Sequence, residues 1–219
     1  MRNAVLSETD ERIDPGFGGP ATGRLRVQCL GPESPSRRPA ETLIERTYSQ
    51  AFCGLVRRHY PNLVCVSDAS GEVLAAAGVR RAQDEPLYLE QYLDAPIEVS
   101  AARVAGRAVA RAEIGEIGNL ASEDADASAC LFLALAEILA QAGCTFAAAT
   151  ATRRLRLRFQ RLGFPIQSLA PASEDRVDAH AADWGNYYSC GPEVLIGAVA
   201  PALLRLRAGR LSCFKSAAA

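Results

Sequence analysis

The sequence is poor in the residues that carry most metal and redox chemistry. It has two histidines, His59 and His180, and its seven cysteines contain no CxxC pair. No zinc-ligand spacing links histidine to cysteine, so a metal site is not expected. An odd cysteine count in apolar settings, such as Cys65 within Leu63-Val-Cys-Val66, reads as buried free thiols rather than a disulfide framework. Net charge is also missing: 24 basic and 25 acidic residues leave −1. A general nucleic-acid binder would be clearly basic. Long apolar runs are absent too. The longest, residues 129–136, stops at Glu137, far short of the roughly 18–20 residues that span a bilayer. Arg2, Glu8, Asp10 and Glu11 precede any apolar run, which argues against a secretory signal. A cytoplasmic protein is expected.

What is present is a regular alternation of strands and helices. Residues 1–23, rich in Gly, Pro and charge, read as a flexible N-terminal arm. Residues 24–219 read as one domain. Residues 24–30 suit a first strand, and 40–60 a helix with Leu43, Tyr48, Phe52, Leu55 and Val56 at helical spacing. Residues 62–67 and 72–81 form a hairpin around Asp68-Ala-Ser-Gly71. Residues 87–106 look helical and broken at Pro96. Then come a central strand (109–120), an apolar helix (128–141), a strand (145–150), a basic helix (153–162) and a last core strand (164–169). Residues 192–206 look helical, interrupted at Pro201. The expected class is α/β (α+β), a mixed and mainly antiparallel sheet with helices on both faces.

The order hairpin, strand, helix, strand, helix, strand resembles the GNAT superfamily of N-acyltransferases, and Leu162-Gly-Phe164 matches its terminal Leu-Gly-Phe. The resemblance implies splayed central strands with an acyl-pantetheine arm between them. It also implies a pyrophosphate at the following helix N-terminus. One departure matters. Such enzymes carry a basic, glycine-rich turn there, whereas this chain carries Glu123, Asp124 and Asp126. Those acids repel a diphosphate, which favours acyl-phosphopantetheine on an acyl-carrier protein over acyl-CoA. A second resemblance covers residues 51–197. Leu87-Tyr-Leu-Glu-Gln-Tyr-Leu-Asp94, Glu113-Ile-Gly-Glu-Ile-Gly-Asn-Leu-Ala121, residues 159–164 and Trp184-Gly-Asn-Tyr-Tyr188 are similar to the thermostable hemolysin family, itself GNAT-like.

These motifs supply the candidate site. Glu116 or Glu90 suits a general base for an attacking amine. Each also reads as a structural carboxylate, Glu116 paired with an arginine and Glu90 on a helix surface. Asn119, Leu120, Ala121 and Ser128 are placed to hold the thioester arm. Asn119 alternatively reads as a turn residue. Tyr187 is a candidate acid for the leaving thiolate; Gln91, Tyr92, Trp184 and Tyr188 are candidate contacts to the acceptor. Trp184, Tyr187 and Tyr188 also read as core, the commoner fate of such a cluster. Arg154, Arg158 and Arg161 share a helix face that is either solvated or a dock for a carrier protein. The function expected is N-acyl transfer from an acyl-thioester to a small amine or amino acid. The alternatives are a membrane-active protein using residues 192–206, and a non-catalytic acyl-pantetheine-binding module.

Overall fold

The computed structural model describes residues 25–177 and 183–216. The expected N-terminal arm lies outside the described residues. Seven strands form one sheet in the order β1-β2-β3-β4-β5-β7-β6. They are β1 (Arg26–Leu30), β2 (Asn62–Ser67), β3 (Val73–Arg81), β4 (Ile114–Ser122), β5 (Phe146–Ala151), β6 (Ile166–Pro171) and β7 (Glu193–Ala198). All pairings are antiparallel except β4 with β5. This is the mixed, mainly antiparallel sheet expected from the order of elements.

Helices cover both faces. On one face α3 (Ala125–Gln141) buries Leu131, Leu135 and Leu139 against Val64, Val66, Ala77 and Val79. Beside it lie α4 (Arg153–Arg161) and α5 (Val199–Ser216). On the other face α1 (Arg37–Phe52) buries Ala40, Leu43 and Ile44 over Leu63, Cys65 and Ala121. There too, a 3-10 turn (Tyr88–Tyr92) and α2 (Ile97–Ala105) cover Ile114, Phe146 and Ile196. Successive strand residues point to opposite faces, so Ile114 and Glu116 face α1 and α2 while Ile117 faces α3.

Several expected boundaries move, among them the start of the central strand, which is Ile114 rather than residue 109 because Arg111–Glu113 forms a 3-10 turn. The first helix ends at Phe52, not at residue 60. Cys53 adopts a left-handed conformation (φ 54°) and its N–H closes on the Ser49 carbonyl. Leu55 then bridges Asp183 instead of continuing the helix. Residues 87–106 split at Pro96 as expected, although the first piece is a 3-10 turn. The largest change is at 192–206. Glu193–Ala198 is a strand inserted between β5 and β6, and α5 begins only at Val199. Val194, Leu195 and Ile196 are buried in the sheet, so this segment is not an exposed amphipathic element. Pro201 falls in the first turn of α5, where a missing N–H costs little.

The sheet opens at its centre. β4 pairs with β5 only over Ile114–Ile117 and Phe146–Ala149, although both strands run on. Beyond that point Ala77 opposes two residues of β4, since Ala76 pairs with Ala121 and Gly78 with Gly118. This bulge puts Asn119 at φ 49°. The β4 and β5 ends therefore splay.

Candidate active site at the splayed strands

A cavity of about 730 Å³ occupies the splay. Its walls include Ile117 to Leu120 of β4, Ala147 to Thr150 of β5 and Ser128 and Phe132 of α3. Leu155 and Phe159 of α4, and Ala202 and Leu206 of α5, complete the α3 side. Thr47, Tyr48 and Phe52 of α1, with Tyr187, wall it from the opposite face. The cavity therefore passes through the sheet. Its volume suits a small-molecule arm rather than a water cluster.

Three polar atoms on this wall are buried without a hydrogen-bond partner: Thr47 Oγ1, Asn119 Oδ1 and Ser128 Oγ. Asn119 and Ser128 are 5% and 1% exposed. An unmet buried polar atom costs about 1–3 kcal/mol, so each is a place where a ligand atom gains more than it would in water. Thr47 is instructive because Thr42, five residues earlier in α1, donates to the Arg38 carbonyl at 2.9 Å. That back-bond is the usual resource of a helical threonine. Thr47 does not use it.

Glu116 and Glu90 are placed differently, off the cavity wall. Glu116 is 1% exposed. Its carboxylate accepts the Tyr88 and Leu89 N–H groups, each at 2.9 Å, and lies 3.4 Å from Arg80 Nε. Burial pushes its pKa up, and Arg80 and the two amides pull it back. Below it, the Tyr60 ring lies on β3 and β4. A Cβ on Gly118 would sit 2.2 Å from the Tyr60 hydroxyl, and one on Gly78 2.4 Å from its ring. Arg80 covers the other side of that ring at 4.3 Å. Glu90 accepts the Leu87 and Ile97 N–H groups and a two-pronged Arg111 contact at 2.7 and 2.9 Å. Arg111 holds its pKa down at about 2. Both carboxylates thus tie down residues 87–97, the structural arrangement that the sequence left open beside the general-base role.

The remaining candidates divide the same way. Asn119, Leu120 and Ser128 are on the cavity wall, whereas Ala121 packs beneath α1. Tyr187 is on the wall, and its hydroxyl points to the Thr150 carbonyl at 3.5 Å. Burial raises its pKa well above the usual phenol value. Trp184, Tyr92 and Tyr188 sit behind it. Trp184 Nε1 donates to Tyr88 Oη at 3.1 Å, and the Tyr92 and Tyr188 hydroxyls meet at 2.9 Å. Gln91 donates to the Tyr88 carbonyl at 2.8 Å. All six tyrosines and the one tryptophan thus gather on the α1 face of the sheet. The residues missed by sequence reasoning are Thr47 and Tyr48 as cavity residues. Tyr48 carried only the signal of a core residue, and Thr47 carried none.

The acidic turn also has a defined structure. α3 starts at Ala125, three residues earlier than expected, because Asp124 caps it by accepting the Ala127 N–H at 2.7 Å. Glu123 pairs with Arg46 at 2.7 Å. Among the described residues no group of His, Cys, Asp and Glu is arranged to hold a metal.

A family model for thermostable hemolysin matches residues 30–203, most of the chain. The chain belongs to the thermostable hemolysin family. No curated protein matches this hemolysin-family chain by sequence. Solved structures match its fold. TofI superposes with a TM-score of 0.58 at 18% identity, covering 83% of this chain and 96% of TofI. FeeM, an N-acyl amino acid synthase from uncultured soil microbes, gives 0.56 at 11%, covering 82% and 92%. BjaI, a CoA-dependent acyl-homoserine lactone synthase seen with SAM and isopentyl-CoA, gives 0.54 at 13%, covering 84% and 88%. At these identities the likeness establishes a shared fold. No helix of this family member, among the described residues, is long and apolar enough to cross a membrane.

Proposed function

We propose that this chain is an N-acyltransferase that moves an acyl group from a phosphopantetheine thioester, on coenzyme A or a carrier protein, to a small amine. The observation that carries the reading is the cavity through the β4–β5 splay, with Asn119 Oδ1 and Ser128 Oγ unpartnered on its wall. A pantetheine arm brings two amides, whose N–H groups suit these acceptors. The apolar wall of Phe132, Leu155 and Phe159 suits the acyl chain. The chemistry named for FeeM and BjaI supports the same reading.

In the reaction the amine nitrogen attacks the thioester carbonyl carbon, the C–S bond breaks, the thiolate leaves and takes a proton from the protein, and the proton released by the nitrogen as the amide forms restores that donor. Tyr187 is the proposed proton donor, since burial keeps its hydroxyl protonated beside the gap. Glu116 and Glu90 act as positioning carboxylates for the turn at residues 87–97. Gln91, Tyr92, Trp184 and Tyr188 form the shell behind Tyr187 on the acceptor side. A cytoplasmic location, where such thioesters are made, belongs to the same proposal.

The test is thiol release by purified protein from acyl-CoA and acyl-carrier donors across a panel of amines and amino acids. Turnover is expected, with kcat about 100-fold or more lower in Tyr187→Phe, in line with loss of one general acid. Thiol release from none of these pairs overturns the reading.

A further inference from the structure

Two helices present their N-terminal ends to the same cavity, and they are electrically opposite. A helix N-terminus attracts an anion through its free N–H groups and its dipole. At α3 this position is taken. Asp124 accepts the Ala127 N–H, Asp126 stands in the first turn, and Glu123 lies on the same rim. A phosphate arriving there meets three carboxylates and must displace the cap. At α4 the position is open. Thr152 makes no side-chain cap bond, and the first turn holds no acid.

The arginines of α4 sharpen the contrast. Arg154, Arg158 and Arg161 are spaced at i, i+4 and i+7, so they share one face, and all three are on the cavity wall. None has a carboxylate partner among the described residues, whereas Arg156, on another face, pairs with Glu193. Arg158 is held over the ring of Phe132, 5.2 Å from its centroid, and Phe132 is itself a wall residue. Glu123 and Asp124 make their own contacts, to Arg46 and to the Ala127 N–H, and none to these arginines. The same cavity holds the buried, unpartnered Asn119 Oδ1 and Ser128 Oγ, so its interior and its rim both await ligand atoms. Arginine is the side chain best matched to a phosphate, through paired N–H donors.

We propose that Arg154, Arg158 and Arg161 bind the phosphate of the donor's phosphopantetheine arm, in place of the N-terminus of α3. The proposal rests on the acyl-transfer reading and goes beyond it by fixing where the arm enters. A phosphate read on α4 serves a carrier-linked arm and a coenzyme A arm alike.

The experiment measures calorimetric binding of unacylated 4′-phosphopantetheine and of pantetheine to the full chain, so that it needs no turnover. The phosphate is expected to tighten binding about tenfold or more, as charge-assisted contacts do. Replacing all three arginines by glutamine should erase that difference and leave pantetheine affinity unchanged. Asp124→Ala should not enlarge it. A phosphate effect that survives in the triple variant, or that is absent from the wild type, overturns the proposal. If neither compound binds, the acyl-transfer reading falls and the proposal with it. Coenzyme A and a phosphopantetheinylated carrier protein are then compared. Equal losses in the triple variant support phosphate recognition. A loss confined to the carrier means that the arginines touch the carrier's surface, and overturns it.

Discussion

Two sets of polar groups flank β4, only a few residues apart, and they have opposite fates. Glu116 and Glu90 are fully engaged, each by two backbone N–H groups and an arginine. Thr47, Asn119 and Ser128 keep atoms that are buried and unmet. The first set contributes to folding, because removing a carboxylate strands its donors. The second set contributes little to folding and is available to a ligand. The lesson is that a buried acid in a motif is not evidence of catalysis until its partners are counted.

The comparison breaks most visibly at Glu116. Glu116→Ala should lose about 3–5 kcal/mol of stability, because Arg80 and two amides lose a buried partner. Chemical denaturation measures this; a loss below 1 kcal/mol would mean that Glu116 does not pin the turn. Glu90→Gln should cost about 1–3 kcal/mol at neutral pH. Its pH dependence is more specific. The folded carboxyl titrates at about 2, below its ordinary 4.5. The stability it supplies is complete above pH 4.5 and is lost as pH falls toward 2. Glu90→Gln should therefore flatten the acid limb of the stability curve in that window.

On the unsatisfied side the signs reverse. Asn119→Ala with Ser128→Ala should not destabilise the free protein, because it removes two unmet buried polar atoms, yet it should raise KM for the thioester about tenfold. Equal loss of stability and activity would erase the distinction between the two sets. The smallest effect belongs to Thr47→Val, which keeps the shape of the side chain. A fall of about threefold in kcat/KM with unchanged stability is expected, and steady-state kinetics beside thermal melts checks it.

Much of the fold was legible. The hairpin and the run from β4 to α4 carried clean periodicity, although β4 starts at Ile114 and α3 at Ala125 rather than at 109 and 128. β7 was hidden because Ala198 passes directly into Val199 with no breaker between strand and helix. The apolar run therefore read as one helix. The end of α1 was hidden because Leu55 and Val56 continue the helical spacing past Cys53. Within the site, Asn119 and Ser128 were legible from their place after the central strand. The burden on Glu116 was not, since its partners at Tyr88 and Leu89 lie 28 and 27 residues away. Thr47 was illegible for a subtler reason: it reads like Thr42, and only its unmade back-bond and its place on the cavity wall separate them.

The short ladder between β4 and β5 has a mechanical consequence. Four paired residues on each strand join a four-stranded half, β1 to β4, to a three-stranded half, β5 to β6. The seam is the weakest line of backbone bonding across the sheet, and its amides should exchange with deuterium sooner than those of β2 or β3. An occupant bonded to both lips of the splay would act as a missing rung. It would slow exchange in strands it never touches, because the two halves would then open as one cooperative unit.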